Sequence, residues 1–526
     1  IWGGSFQAPG FYELACLDAK AGRFAEALEH VNESILRQYQ CMKARALKEN
    51  ILRKLGRVKE AEELHKESLK IDPLYDRQPE KINHNTLLEL VIDLYEAGDY
   101  AQGITLAEKW VKQQNVSRQE DIYPLVYYYI AYGYQNLHRK ENTEQANCYM
   151  TMYVTLGENA AADGCFPHRT EDYIVLKSLA EEYHLAMAYY YLGCLLYDRR
   201  VYDESIEDYE ESILRSPDFP TVHRNLALAY YNVKKLPQRA YEEMEKAFAL
   251  DETDARVYLE LDQLKKRLNV AVKERWSDME KHFDLVESRD DLYLEYVTLL
   301  NTLGEPEKAL GLIKARKFHQ WEGGEGKVAA QYLTALYQLA KAAVEKEDYA
   351  EAKELLLRAV GEYPHNLGEG KLESGQENNL YYLLGLVQEK LGEAKDAFES
   401  LTRACCGESE PVGMMYYNDQ PPEMIYYQGL AYRMLGEEEQ AVRRFQKLVD
   451  YGREHIGDEI KIDYFAVSLP DLLIFEENLN ERNRKHCLFM MSLGLRGLGQ
   501  TDEAKACAEE LLSMDNAHQG IRVHDL

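Results

Sequence analysis

The stretch KFHQWEGGEGKVAAQY, Lys317 to Tyr332, gathers a histidine, a tryptophan, two glutamates and three glycines. Carbohydrate chemistry uses such a set. One carboxyl protonates a leaving oxygen, a second acts as base or nucleophile, and an indole face packs on a sugar ring. His319, Trp321, Glu322 and Glu325 are the candidates here. A second stretch, EYPHNLGEGKLESGQENN, repeats the GEGK of the first 44 residues later and offers His365, Asn366, Glu369 and Lys371. A third, KIDYFAVSLPDLLIFEENL, carries Asp463, Tyr464 and Asp471; a fourth, CFPHRTED, carries His168 and Arg169. Glu322, Glu325 and Glu369 are the acid–base candidates, and the others would bind a ligand. A plainer reading competes at every one of these stretches. Glycine-rich turns join helices, their acids cap the next helix N-terminus, and an aromatic plugs the hydrophobic seam. Both GEGK loops directly follow the second helix of a pair, where a turn is needed in any case.

The elements that would position these residues are repeats. In YYYLGCLLYDRRVYDESIEDYEESILRSPDFP, Tyr189 to Pro220, the residues Tyr189, Leu192, Gly193 and Leu196 share one face of a first helix. Tyr202, Ser205, Tyr209 and Ser212 do the same on a second helix, and Pro217 closes it. The next unit starts at His223, 34 residues on, an interval that resembles the tetratricopeptide repeat. A glycine turn with an alanine five residues later recurs in AGRFAEA (Gly22, Ala27), LGRVKEA (Gly56, Ala61), LGEPEKA (Gly304, Ala309), LGEAKDA (Gly392, Ala397), LGEEEQA (Gly436, Ala441) and LGQTDEA (Gly499, Ala504). AGDYAQG, with Gly103 at the alanine position, and KEDYAEA are variants. A small residue at the crossing point lets paired helices approach, and glycine takes a turn conformation that a Cβ resists.

About eleven or twelve such units are expected, against roughly three needed for a stable stack. The fold class is therefore all-α, an α-α superhelix of helical hairpins with its inner groove lined mainly by first helices. One superhelix is expected over 1–526, with subregions 1–120, 121–290 and 291–526. The chain has 40 tyrosines, concentrated in the first helices, most of them expected in the core. Three insertions interrupt the scaffold, around AADGCFPHRTED, TRACCGESEPVGMMYYNDQPPEM and the long segment after the Gly436 unit. In solenoids, insertions project from one face, often the binding one.

FHQWEGGEG, HNLGEGK, YYNDQPPEM, FAVSLPDLL and SPDFPTVHRNLALAYYN together resemble the C-terminal region of bacterial proteins catalogued as domain of unknown function 5107. In that family a β-sandwich similar to galactose mutarotases precedes a long tetratricopeptide region. The resemblance spans Tyr12 to His518 and implies a missing N-terminal sandwich domain, a link to glycan metabolism and a functional surface at the irregular stretches. The family supplies no established catalytic residue. Gln320 stands where the family pattern leads us to expect proline. The start at Ile1, without a methionine, agrees with an N-terminal part having been removed.

With 62 Lys and Arg against 91 Asp and Glu, the net charge is −29, spread along the chain. A nucleic-acid or anionic-membrane partner is therefore excluded from the expectations, and no membrane-spanning segment or leader is legible. GGEGK lacks the phosphate-loop spacing, and neither HExxH nor GxSxG occurs. The nine cysteines (16, 41, 148, 165, 194, 405, 406, 487 and 507) form no CxxC pair and no zinc-finger pattern, which fits reduced thiols in the cytoplasm and no metal or cofactor. The leading expectation is a protein-interaction or scaffolding module that binds a basic or neutral peptide segment, or its own missing domain. The alternative is part of a glycan-processing enzyme whose irregular loops line a sugar pocket.

Overall fold

The computed structural model describes residues 3–73, 75, 82–114, 121–141, 144–321, 323–371, 376–413, 419–461 and 474–524. Among these there are 27 α-helices, a 3-10 turn at His365–Leu367 and no strand, so the fold is all-α as expected. Two compact units divide the chain, Ile1–Val222 and His223–Leu526.

In the first unit the helices pair consecutively: α1 (Gly3–Lys20) with α2 (Phe24–Arg37), α3 (Met42–Lys54) with α4 (Val58–Ile71), and α5 (His84–Glu96) with α6 (Tyr100–Gln113). Then come α7 (Pro124–Glu141) with α8 (Glu144–Asn159), an interposed α9 (Thr170–Tyr183), and α10 (Ala186–Asp198) with α11 (Tyr202–Arg215). The second unit begins within α12 (Pro220–Asn232), which pairs with α13 (Pro237–Leu250); α14 (Ala255–Arg267) follows with α15 (Val272–Lys281) and a short α16 (Phe283–Ser288). Its remaining pairs are α17 (Asp290–Leu303) and α18 (Pro306–Ala315), α19 (Lys327–Glu345) and α20 (Tyr349–Ala359), α21 (Asn378–Lys390) and α22 (Ala394–Ala404), α23 (Pro422–Met434) and α24 (Glu438–His455), and α25 (Leu479–Gly497) and α26 (Thr501–Met514). The short α27 (Gln519–Val523) ends the series. Twelve pairs result, at the upper end of the expected number.

Packing within a pair follows from the small residues. A Cβ built on Gly193 would come within 2.6 Å of the Tyr209 ring, so α11 can lie against α10 only because that side chain is missing. The Ser205 hydroxyl donates to the Gly193 carbonyl at 2.7 Å, satisfying a buried polar group at the crossing. The alanines of the repeat pattern, from Ala27 to Ala504, are all buried. Gly304 ends α17 at φ 78, the left-handed conformation glycine adopts without strain. Glu347 sits at φ 60 at the corresponding turn of KEDYAEA, so that turn forms against the local preference. Tyr127, Tyr128, Tyr129, Tyr191, Tyr230, Tyr258 and Tyr332 are fully buried, as core tyrosines. All nine cysteines are free thiols. Among the described residues, no helix is long and apolar enough to cross a membrane.

Candidate functional site

The two GEGK loops, far apart in sequence, are in direct contact. The Phe318 amide donates to the Asn366 carbonyl at 2.9 Å. The Asn366 side chain donates to the carbonyls of Ile313 and Arg316, at 2.7 and 2.9 Å, satisfying backbone acceptors at and just beyond the end of α18. A Cβ on Gly368 would stand 2.9 Å from the Phe318 carbonyl oxygen, so glycine is required for this approach as well as for its φ of 82.

Glu369 then reaches across to the other loop. Its carboxylate accepts from the amide of Gly326 at 2.8 Å and of Ala329 at 3.1 Å, at the N-terminus of α19. The residue before that helix is Gly326, which has no side chain to cap it. The second loop therefore supplies the cap that the first loop lacks, and a negative charge at the positive end of the helix dipole adds to the bond.

The remaining candidates in this region divide. His319 is exposed, but its backbone amide donates to Asp290 at 2.8 Å and its Nδ1 lies 3.1 Å from the same oxygen. Arg316 donates to the other Asp290 oxygen at 2.6 Å. Burial works to raise the Asp290 carboxyl, and the His319 amide with Arg316 outweighs it, holding the group below the usual carboxylate range. The half-buried Trp321 indole lies over Gly324, whose missing Cβ leaves the ring its place; an added one would fall 2.3 Å from it. Glu325 and His365 are exposed. Lys371 donates to the Val360 carbonyl at 2.6 Å, just past α20, and pairs with Glu377 at 2.8 Å. Burial pushes the Glu377 carboxyl up, with Lys371 opposing. Glu322, Asp463, Tyr464 and Asp471 lie outside the described residues. The structure thus brings His319, Trp321, Glu325, Asn366 and Glu369 into one pair of joined loops.

His168 and Arg169 belong to the first unit, at the start of α9. Their backbone amides both donate to the buried Asp172 carboxylate at 3.0 Å, and the Tyr129 hydroxyl donates to its other oxygen at 2.8 Å. The Arg169 side chain pairs with Glu89 of α5 at 2.7 Å.

Two surface hollows, of about 400 and 530 Å³, lie elsewhere. The larger is in the first unit, beside Glu158, His184, Arg215 and Phe219; the smaller, in the second, is lined by Asp458, Asn478 and Arg484.

One charged surface was not singled out from sequence. On the first helices of the first unit, Lys43 of α3 sits 3.1 Å from Asp93 and 3.7 Å from Glu89, both on α5. The Tyr12 hydroxyl of α1 donates to Asp93 at 3.3 Å. Glu96, one turn beyond Asp93, is half-buried; burial, then Glu13, Asp93 and Glu171, push its carboxyl up to about 7, while Lys43 works the other way. Among the described residues, no lysine or arginine forms an ion pair with Glu96. Helical spacing along α5, Glu89, Asp93 and Glu96, was the available sequence signal.

Comparison with family profiles agrees with the repeat reading. Tetratricopeptide-repeat family profiles match residues 12–76 and 337–411, residues 423–451 and residues 486–518. Among solved structures, the chain is similar to the TPR domain of P58(IPK), at 10% identity over 94% of this chain and 99% of that one, with a TM-score of 0.22. It is also similar to yeast Tom70, at 10% identity over 98% and 94% with a TM-score of 0.28. A further similar structure is that of the APC/C hetero-tetramer Cut9–Hcn1, at 13% identity over 97% and 88% with a TM-score of 0.26. On the profile matches and the helix pairing together, the chain contains tetratricopeptide repeats.

Proposed function

We propose that the chain is a protein-interaction scaffold whose first unit receives a peptide segment bearing lysine or arginine. The tetratricopeptide repeats support the scaffold role. The observation that carries the rest is Glu96. A half-buried carboxyl, crowded by Glu13, Asp93 and Glu171 and lacking an ion-pair cation among the described residues, is stabilised by a cationic side chain brought in from outside. Lys43 makes its ion pairs with Glu89 and Asp93, and Arg169 with Glu89 and Asp172, so neither is bound to Glu96. The charge of −29 adds long-range attraction for a basic partner. The setting is cytoplasmic in this reading, with nine free thiols in keeping.

A peptide array with matched lysine-rich, neutral and glutamate-rich sequences tests the proposal. Lysine-rich peptides are expected to bind, with affinity falling as salt rises. Equal binding of all three classes would sink it.

A second reading follows the resemblance to the domain of unknown function 5107 region: a carbohydrate-associated protein with a sugar site at the joined loops. The contact between those loops supports it, because it joins the segment that carries Trp321 and Glu325 to the segment that carries His365 and Glu369. A glycan array on the chain, read against Trp321→Ala, decides it. Glycan binding that survives the substitution would remove the indole platform from the account.

A further inference from the structure

The last described residues of the second unit turn back across its first helices. After α26, the Asn516 side-chain amide donates to the Asn269 carbonyl at 2.7 Å and its Oδ1 accepts from the Val272 amide at 3.2 Å. At Gln519 the side chain exchanges hydrogen bonds with Gln331 of α19, at 3.0 and 3.1 Å. Lys341, also of α19, donates to the Val523 carbonyl at 3.0 Å. The His524 ring lies 2.9 Å from the Tyr427 hydroxyl of α23, itself bonded to the Tyr337 hydroxyl at 2.6 Å. Ile521 and Val523 are buried, and Gly520 meets the Phe489 ring of α25 so closely that an added Cβ would lie 2.6 Å from it.

This segment therefore touches α19, α23 and α25, each a first helix, at separate residues along its length. Its bonds are mostly side chain to side chain or side chain to main-chain carbonyl, as when an independent peptide docks on a preformed surface. It contributes only a five-residue helix and few large apolar groups, whereas α25 buries eleven of its own residues. A segment held in this way opens locally before the helices beneath it unfold.

We propose that Asn516–His524 is a built-in occupant of the second unit's first-helix face, holding it closed until a partner peptide of the same chemistry replaces it. That peptide presents a carboxamide where Gln519 stands, two aliphatic side chains where Ile521 and Val523 stand, and a hydrogen-bonding ring where His524 stands. The inference rests on the protein-interaction reading and adds a second, regulated surface to it.

A fluorescent peptide of sequence DNAHQGIRVH, residues 515–524, tests it against the full chain and its Ile521→Asp variant. The variant, with its own segment expelled, is expected to bind the peptide at least tenfold more tightly than the unaltered chain. An unlabelled peptide carrying the changes at Gln519→Ala and Ile521→Asp should not compete. Equal affinities for the two proteins, or no binding by a variant of unchanged helicity, would overturn the proposal. Should the variant fail to fold, hydrogen exchange on the unaltered chain decides: amides of 519–524 are expected to exchange at least tenfold faster than those of mid-α19. Equal rates there would make the segment a permanent part of the core. Failure of the scaffold reading looks different, since no partner peptide would then bind either protein while the 515–524 peptide still bound the variant.

Discussion

Replacing Glu369 separates a structural acid from a ligand-binding one. Its carboxylate accepts two amides at the N-terminus of α19, and Gly326 offers no cap of its own. Losing a side-chain cap costs about 0.5–2 kcal/mol, and losing a favourable charge at the dipole costs about 0.3–1 kcal/mol more. Glu369→Ala is therefore expected to destabilise the start of α19 by about 1–3 kcal/mol. Glu369→Gln keeps one acceptor oxygen and is expected to cost about 1 kcal/mol. Since about 1.4 kcal/mol is tenfold in an equilibrium constant, amide protection at Gly326 and Ala329 should fall roughly five- to hundredfold in the alanine variant and about fivefold in the glutamine one. Native-state hydrogen exchange measures both, with mid-α19 amides as the internal control. Protection within twofold of the unaltered chain in Glu369→Ala would refute the capping argument, and unchanged or increased stability would point to a residue kept for a ligand.

Other predictions concern packing, thiols and protons. Gly497→Ala would place a Cβ 2.2 Å from the fully buried Phe445 ring, so a loss of about 1–3 kcal/mol is expected in urea unfolding. Iodoacetamide at pH 8 should label the exposed Cys148 and Cys406 first. Cys16 and Cys165, buried and pushed up to about 12 by that burial, should label only after unfolding, as mass spectrometry would show. Glu96, raised to about 7 in the folded chain from an ordinary 4.5, holds a proton that the unfolded chain has already released. Its effect is absent below about pH 4.5, grows unfavourable as pH rises through the window to 7, and is then constant. The stability difference between Glu96→Gln and the unaltered chain should accordingly widen in the variant's favour between pH 5 and pH 8.

The hairpins were legible because they rest on local rules. A glycine that must turn left-handed and an alanine that must sit at a crossing recur at fixed spacing, and Gly304 and Ala309 do both. Where the turn residue is not glycine, as at Glu347, packing of the flanking helices overrides local preference and the signal fades. The candidate loops were legible as irregular stretches, and their mutual contact was not. Asn366 bonding across to Arg316, and Glu369 to Gly326, are long-range choices that no periodicity encodes. The same holds for Gln519 meeting Gln331, 188 residues away. The acidic face needed α1, α3 and α5 side by side before Glu13, Lys43 and Glu96 became neighbours.

Binding of a cationic peptide by the first-helix face of the first unit can be measured in one comparison. The most direct measurement is the affinity of one lysine-rich peptide, in low salt at pH 8, for the unaltered chain and for a Glu13→Gln/Glu96→Gln double variant. At least a tenfold loss is expected in the double variant, with melting unchanged or raised. Equal affinity for the two proteins would contradict it.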